Sequence, residues 1–111
     1  MKSYTDIEQS KKLAEILPLE SADMCYLQEN GQAKTISPSK LSEILNVSKP
    51  QVIPCWSLAA LLDVLPNASI LLKGFDKIYD LTNSSGEIAK ADNPVDVCYR
   101  MILKLNELKM L

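Results

Sequence analysis

The sequence predicts a small α+β domain in which two β-hairpins form one antiparallel sheet that packs with about four helices. Apolar residues repeat at helical spacing in several segments, and two pairs of β-prone runs flank residues that favour tight turns. The length of 111 residues fits a single domain that spans 1–111.

The first helix is predicted over residues 6–17. Thr5 and Glu8 have the spacing of a capping box, in which the two side chains accept hydrogen bonds from backbone amides at the helix start. Apolar side chains recur on one face of this segment. Pro18 ends the helix, because the residue before a proline disfavours the α conformation.

The next segments predict a hairpin and a short helix. Residues 24–36 read "MCYLQENGQAKTI", two β-prone runs around an Asn-Gly pair that tolerates the positive φ of a tight turn. Ser37 and Pro38 then supply an N-cap and a first-turn proline for a helix over 39–46.

The central segment predicts a helix over residues 55–65, which is entered through an extended connector bounded by Pro50 and Pro54. Its leucines recur at i, i+3, i+4 and i+7, and the remaining positions are mostly alanine or valine. We therefore expect this helix to be buried on nearly all sides.

The C-terminal part predicts a second hairpin and a long helix. The runs "SILLK" and "KIYDLT" flank a Gly-Phe-Asp turn, and residues 83–92 are predicted as a loop that leaves room for one short strand. Asn93 and Pro94 then supply an N-cap and a first-turn proline. The helix they open extends to about Lys109 and carries one broad apolar stripe.

The absence of histidine from the whole sequence narrows the function classes more than any motif does. It removes Ser/His and Cys/His nucleophile pairs, histidine general bases and metal sites that need imidazole. The carboxylates are scattered and lack the spacing of a calcium loop. We therefore predict that the protein is not an enzyme and uses no cofactor.

The charge is balanced along the chain. Residues 1–50 and residues 51–111 each contain six Lys/Arg and seven Asp/Glu, so neither half is a basic segment suited to phosphate neutralisation. The N-terminus lacks the apolar region of a signal peptide, and the longest apolar run is five residues, which predicts a cytoplasmic protein without a membrane segment. Three widely spaced cysteines predict reduced thiols.

Three residues, Cys55, Trp56 and Tyr79, are the candidates for a binding site. Cys55 is predicted at a helix N-terminus, where the dipole lowers a thiol pKa, although free cysteine commonly behaves as a small buried hydrophobe. Trp56 is the only tryptophan; tryptophans are enriched at binding hot spots, whereas the leucines that follow it favour a place in the core or at its edge. Tyr79 is one of the larger side chains of the second hairpin.

Residues 41–52, "LSEILNVSKPQV", resemble the helix-turn-helix pattern of bacterial transcription regulators. The recognition helix would begin near Lys49 and contain Pro54, which removes a backbone hydrogen bond inside a helix. Between Lys49 and Lys73 the sequence has no basic residue that would pair with phosphates or read guanine. A DNA-binding regulator that uses residues 41–56 is therefore the alternative function, and nucleic acid is a disfavoured partner.

Three blocks that together span most of the chain are "YTDIEQSKKLAEILPLESADMCY", "IPCWSLAALLDVLP" and "NPVDVCYRMILKLNELKML". They resemble blocks of small uncharacterised proteins from prophage and other mobile-element regions of gut anaerobic bacteria. That family has no known activity, so the resemblance assigns no functional residue. It implies a cytoplasmic accessory protein of a phage or mobile element.

These observations predict a non-enzymatic accessory or protein-interaction module whose partner is an unknown protein or a second copy of the chain. The expected contact surfaces are an exposed edge of the small sheet and any uncovered part of the apolar stripe of the C-terminal helix. A third hypothesis is a redox-sensitive protein or small enzyme that uses Cys55.

Overall fold

The computed structural model describes residues 2–26, 33–35, 53–66 and 69–111. Helices and two runs of three antiparallel strands make up these segments, which confirms the predicted α+β class. In chain order the elements are α1 (Ile7–Ile16), a 3-10 turn (Leu19–Ser21), β1 (Met24–Tyr26), β2 (Ala33–Thr35), β3 (Ile53–Cys55), α2 (Leu58–Val64), β4 (Ile70–Lys73), β5 (Tyr79–Thr82), β6 (Ile88–Ala91) and α3 (Pro94–Glu107).

The strands of the described segments form two separate antiparallel sheets, with strand orders β2-β1-β3 and β4-β5-β6. Both predicted hairpins are present, β1 with β2 and β4 with β5. The prediction that they share one sheet is wrong, because each hairpin pairs with its own third strand. β3 pairs with β1, and β6 pairs with β5.

β3 occupies residues that were expected to form a connector and the start of a helix. Pro54 lies in this strand opposite Cys25. Among the described residues β3 is an edge strand, a position that tolerates a proline. The helix therefore begins later than predicted. α2 spans Leu58–Val64, and the side chain of Ser57 caps it. The expected helix start at Cys55 is wrong.

The starts of the other two helices differ in how well the sequence predicts them. The N-cap of α1 is Asp6, which forms the capping box with Gln9. The predicted cap Thr5 instead points into the interior, where it is fully buried. α3 starts as predicted at Pro94, after the N-cap Asn93.

The predicted helix over 39–46 and the helix-turn-helix-like run over 41–52 lie outside the described residues. The last part of the segment expected to bind DNA is described, and residues 53–55 are the strand β3. A recognition helix that continues through Pro54 is therefore incompatible with the structure.

The β4-β5-β6 sheet includes one strand from the region predicted mainly as loop. β6 aligns Ala89 with Leu81 of β5, which in turn lies opposite Leu71 of β4. The turn between β4 and β5 is closed by the Gly74 amide, which donates to the Ile78 carbonyl at 2.8 Å. Within that turn Lys77 adopts a positive φ of 64°.

An apolar core connects both sheets with the helices. α3 packs against β5, β6 and α2, while α1 packs against β3. The broad stripe predicted for α3 is buried as expected; its buried apolar members are Val95, Val97, Cys98, Met101, Ile102 and Leu105. α2 is less buried than predicted, because Leu61 is in the core whereas Leu62 on its other face is 42% exposed.

Among the residues that the structure describes, no helix combines the length and the apolar character needed to cross a lipid bilayer.

Candidate functional site

Cys55, the predicted reactive thiol, is at the centre of the core with 0% exposure. It ends the strand β3 and precedes the N-cap of α2, Ser57, by two residues, so it is not the first residue of the helix as predicted. Burial raises the pKa of the Cys55 thiol, and hydrogen bonds with Thr5 and Ser10 offset this only in part. The thiol therefore lacks the lowered pKa that the reactive interpretation requires, and its burial fits the alternative interpretation of Cys55 as a small buried residue.

Trp56 is also 0% exposed, which confirms the core position that the neighbouring leucines indicate. Its indole Nε1 donates to Ser21 Oγ at 2.9 Å, and Ser21 Oγ donates to the Pro18 carbonyl at 2.6 Å. The polar atom of the ring is thus satisfied inside the protein. The hydrogen bond between Trp56 and Ser21 thus connects the end of β3 to the 3-10 turn.

Tyr79 belongs to the other sheet, so the three candidate residues do not form one site. It is partly buried on the same side of β5 as Leu81 and packs against the core. Lys73 Nζ lies 5.8 Å from the centroid of its ring. A cation–π contact of this exposed kind contributes on the order of 0.5–1 kcal/mol, which stabilises the β4-β5 pair.

A buried hydrogen-bond network centred on Thr5 has no signature in the sequence. Thr5 Oγ1 lies 2.8 Å from Ser10 Oγ and accepts from the Trp56 amide at 3.2 Å. The Thr5 carbonyl accepts from Tyr26 Oη at 2.8 Å and from Cys55 Sγ at 3.4 Å. We call these five residues the Thr5 network. It ties the N-terminal segment to β1 and β3.

The titratable groups of the Thr5 network are poorly suited to proton transfer at neutral pH. Burial raises the pKa of Tyr26 far above its usual value, and burial also raises the pKa of Cys55. Both groups therefore stay protonated, and the network lacks a general base. Its arrangement is that of a structural network that satisfies buried polar atoms.

A second polar cluster joins the N-terminus to the start of α3. The Asp96 carboxylate accepts hydrogen bonds from Lys2 Nζ, Gln9 Nε2 and Asn93 Nδ2, each at 2.8 Å. Partial burial by itself would raise the pKa of Asp96, but these donors outweigh it and hold the pKa below its usual value. All three donors come from the protein itself, so the cluster is a structural connection between the N-terminal segment and the start of α3.

A surface cleft of about 450 Å³ lies where α1, α2 and α3 end. Its polar side chains are Ser21, Asp63 and Asn106. The hydroxyl of Ser21 is already bonded to Trp56 and Pro18. One carboxylate and one amide remain, which do not provide the nucleophile and base that catalysis requires.

The outer face of the β4-β5-β6 sheet exposes several large apolar side chains. Ile70 is 57% exposed, Leu72 63% and Ile88 48%, and Phe75 in the adjoining turn is fully exposed. The register places Ile70 and Ile88 in one row across the sheet, on either side of Thr82. In the next row Leu72 lies beside Asp80 and Lys90, so the apolar side chains of this face are concentrated along β4. Clustered exposed apolar side chains are typical of a contact surface.

The edge formed by β6 is covered by side chains from α3. Lys104 Nζ donates to the Ile88 carbonyl at 3.2 Å, and Arg100 Nη1 donates to the Lys90 carbonyl at 2.6 Å. Lys104 also forms an ion pair with Glu87 Oε2 at 3.3 Å. Occupied carbonyl groups and positive charge both discourage a further strand from pairing with this edge.

The edge formed by β4 is open in the described part of the chain, where its single strand neighbour is β5. The Gly74 amide points toward β5, because it donates to Ile78. Backbone groups of successive strand residues point to opposite sides, so Ile70 and Leu72 also face β5. Leu71 and Lys73 therefore direct their amide and carbonyl groups outward, away from the sheet.

The other predicted contact surface, an uncovered part of the apolar stripe of α3, is largely absent because the stripe is buried. Leu108, just beyond the helix, is its exposed continuation at 48%. In the part of the chain that the structure describes, the open edge of β4 and the outer sheet face are therefore the more extended of the predicted contact surfaces in this half of the fold.

Comparisons of the chain with protein families, with curated proteins and with solved structures found no match.

Proposed function

We propose that the protein is a non-enzymatic protein-interaction module that binds through the β4 edge and the outer face of the β4-β5-β6 sheet. The observation that carries this proposal is the contrast between the two edges of the sheet. The β6 edge is closed by Arg100 and Lys104, whereas the β4 edge has no further strand beside it among the described residues and lies beside Ile70 and Leu72.

The chemistry of this surface fits strand addition. An extended segment beside β4 gains backbone hydrogen bonds from Leu71 and Lys73, and its side chains cover Ile70 and Leu72. Full burial of one leucine or isoleucine side chain contributes about 1.5–3 kcal/mol. Two such side chains and an open edge are enough for a specific contact of moderate strength.

The test compares two matched variants of the full chain. In the first, Ile70→Thr and Leu72→Thr are combined, because threonine keeps the strand propensity and removes the apolar surface. In the control, Leu62→Gln removes a comparably exposed apolar side chain from α2. Complexes, with itself or with other proteins from a lysate of the native host, are detected by cross-linking and quantified by sedimentation velocity.

We expect the wild-type chain to form a complex that the double variant weakens at least tenfold and the Leu62→Gln variant leaves unchanged. A complex that tolerates the double variant contradicts the assigned surface. The absence of any complex at about 100 μM, where contacts with micromolar Kd are populated, contradicts the interaction function itself.

An accessory role in a phage or mobile element is part of this proposal, and it is supported by the resemblance of three sequence blocks. The DNA-binding alternative loses support, because the residues around Pro54 form a strand in place of a recognition helix. A gel-shift assay at low salt with DNA from the protein's own operon separates the two functions. A specific shift would favour the alternative.

A further inference from the structure

We infer that the occupant of the β4 edge is a second copy of the chain, joined by antiparallel pairing of the two β4 strands about a two-fold axis. This inference rests on the proposed function and names its partner. It would produce a continuous sheet of six strands, with the edges covered by Arg100 and Lys104 at both ends.

The alternation of side chains restricts how two β4 strands pair. Residues directly opposite each other in an antiparallel pair point to the same face of the sheet. In β4, Ile70 and Leu72 point to the outer face, whereas Leu71 lies in the inner row with the buried Leu81 and Ala89. An axis midway between two residues would place side chains of opposite faces against each other. The two-fold axis must therefore pass beside a residue, and its possible positions are Ile70, Leu71 and Leu72.

The apolar pattern of β4 matches itself when the axis passes beside Leu71. On the outer face, Ile70 of each copy lies opposite Leu72 of the other copy. On the inner face, Leu71 meets Leu71, which extends the row formed by Ala89 and Leu81 across the axis. An axis at Ile70 would place Leu71 opposite Ser69, and an axis at Leu72 would place it opposite Lys73.

Backbone hydrogen bonding favours the same register. Leu71 and Lys73 direct their amide and carbonyl groups outward, and the alternation continues to Ser69. With the axis at Leu71, each residue whose backbone groups point outward faces another such residue of the second copy. Leu71 faces Leu71, and Ser69 of each copy faces Lys73 of the other. Either shifted register leaves one outward residue of this segment without a partner inside it.

Charge also separates the registers. Lys73 is the only charged residue of β4. With the axis at Leu71, the two Lys73 residues are four residue positions apart along the sheet, about 14 Å. With the axis at Leu72 they are about 7 Å apart, which is less than the screening length of about 8 Å at physiological salt. The Leu71 register therefore avoids their repulsion.

The contact is small, because each copy supplies one short strand and the side chains beside it. Interfaces of this kind lie below about 1,200 Å² in total, a size typical of transient complexes. We therefore expect a monomer and a dimer in equilibrium at micromolar concentrations.

The first test uses two variants at one position, Lys73→Pro and Lys73→Ala. The Lys73 amide points outward, so proline leaves the hydrogen bonds to β5 intact and removes one donor from the edge. Alanine removes the same charge and keeps the donor. Sedimentation equilibrium of the full chain should show a dimer that Lys73→Pro weakens at least tenfold and Lys73→Ala preserves, while Trp56 fluorescence confirms that both variants fold.

The second test determines the register by cross-linking. Ile70 and Leu72 of opposite copies form a non-hydrogen-bonded pair with Cα atoms about 4.5 Å apart, a distance that a disulfide spans. An equimolar mixture of Ile70→Cys and Leu72→Cys chains should therefore yield a linked heterodimer under mild oxidation. The native cysteines are buried and do not compete.

Three outcomes would overturn the inference. A chain that stays monomeric excludes the second copy as partner, and the proposed function then stands only if another protein binds in a manner sensitive to Ile70 and Leu72. A dimer that tolerates Lys73→Pro does not use the edge. If one cysteine variant alone forms a disulfide-linked homodimer faster than the mixture forms the heterodimer, the two-fold axis lies beside a different residue.

Discussion

Replacement of Thr5 by valine tests whether the Thr5 network stabilises the fold. The substitution keeps the shape of the side chain and removes Oγ1, which accepts from the Trp56 amide at 3.2 Å and lies 2.8 Å from Ser10 Oγ. Thr5, Ser10 and Trp56 are all 0% exposed, so water does not replace the lost acceptor without a rearrangement.

The expected loss of stability follows from the groups left behind. A buried amide without a partner costs about 1–3 kcal/mol, and the Trp56 amide is such a group in the variant. Ser10 retains a contact of 3.5 Å with the Thr5 carbonyl, and the added methyl group offsets the loss by less than about 1 kcal/mol. We expect the free energy of unfolding to fall by about 2 kcal/mol, which lowers Tm by about 8 °C for a chain of this size.

Urea denaturation monitored by tryptophan emission measures this loss directly. Trp56 is the only tryptophan and is fully buried, so its emission reports the exposure of the core. The control is Thr82→Val, the same chemical change on the partly exposed face of β5. It should alter the free energy of unfolding by less than about 0.5 kcal/mol.

A neutral surface substitution changes the free energy of unfolding by up to about 0.5 kcal/mol. A change of that size or smaller in Thr5→Val would refute the expectation that the Thr5 network stabilises the fold. Equal losses for Thr5→Val and Thr82→Val would refute it as well. The first result would mean that the buried amide finds another acceptor. The second would mean that the loss of stability is not specific to the Thr5 network.

Two further predictions concern titratable groups. The pKa of Asp96 is lowered in the folded protein by Lys2, Gln9 and Asn93. The ionised carboxylate therefore stabilises the fold fully above the unfolded pKa of about 3.9, and this stabilisation is lost as the pH falls through the folded pKa. Asp96→Asn should therefore lower the urea midpoint at pH 7 by an amount equivalent to less than about 1 kcal/mol. It should also make the urea midpoint fall less steeply below about pH 5. An equally steep fall in the variant would assign the pH dependence to other carboxylates. Burial raises the pKa of Cys98 to about 11 and also raises the pKa of Cys55. At pH 7 iodoacetamide should therefore modify these thiols in urea but not in the native protein. Rapid labelling of Cys55 in the native protein would restore the redox hypothesis.

The features that the sequence predicts well are those decided by neighbours in the chain. The cap and first-turn proline of α3, its apolar stripe and the two hairpins all depend on residues a few positions apart. The two helix starts that were misplaced show the limit of such signals. Thr5 and Asp6 both suit an N-cap, and only burial of the Thr5 side chain assigns the cap to Asp6.

The sequence left the place of the site candidates open for a related reason. A tryptophan and a cysteine beside prolines have the composition of either a site or a core, and the sequence does not show which surfaces cover them. In the structure, α1, the 3-10 turn and β1 bring Thr5, Ser21 and Tyr26 around Cys55 and Trp56 from up to 51 residues away. Burial of this kind depends on long-range packing, which local patterns do not encode.

By itself the sequence determined the α+β class, the helices α1 and α3 and the two hairpins, because each depends on local periodicity, caps and turns. Only the tertiary structure decided that the hairpins belong to separate sheets and that one of those sheets has a closed edge and an open one. The closed edge depends on Arg100 and Lys104, which reach carbonyl groups 10 and 16 residues earlier in the chain once α3 has packed on β6. The proposed contact surface follows from that packing, since an edge can bind a further strand only where the rest of the fold leaves it uncovered.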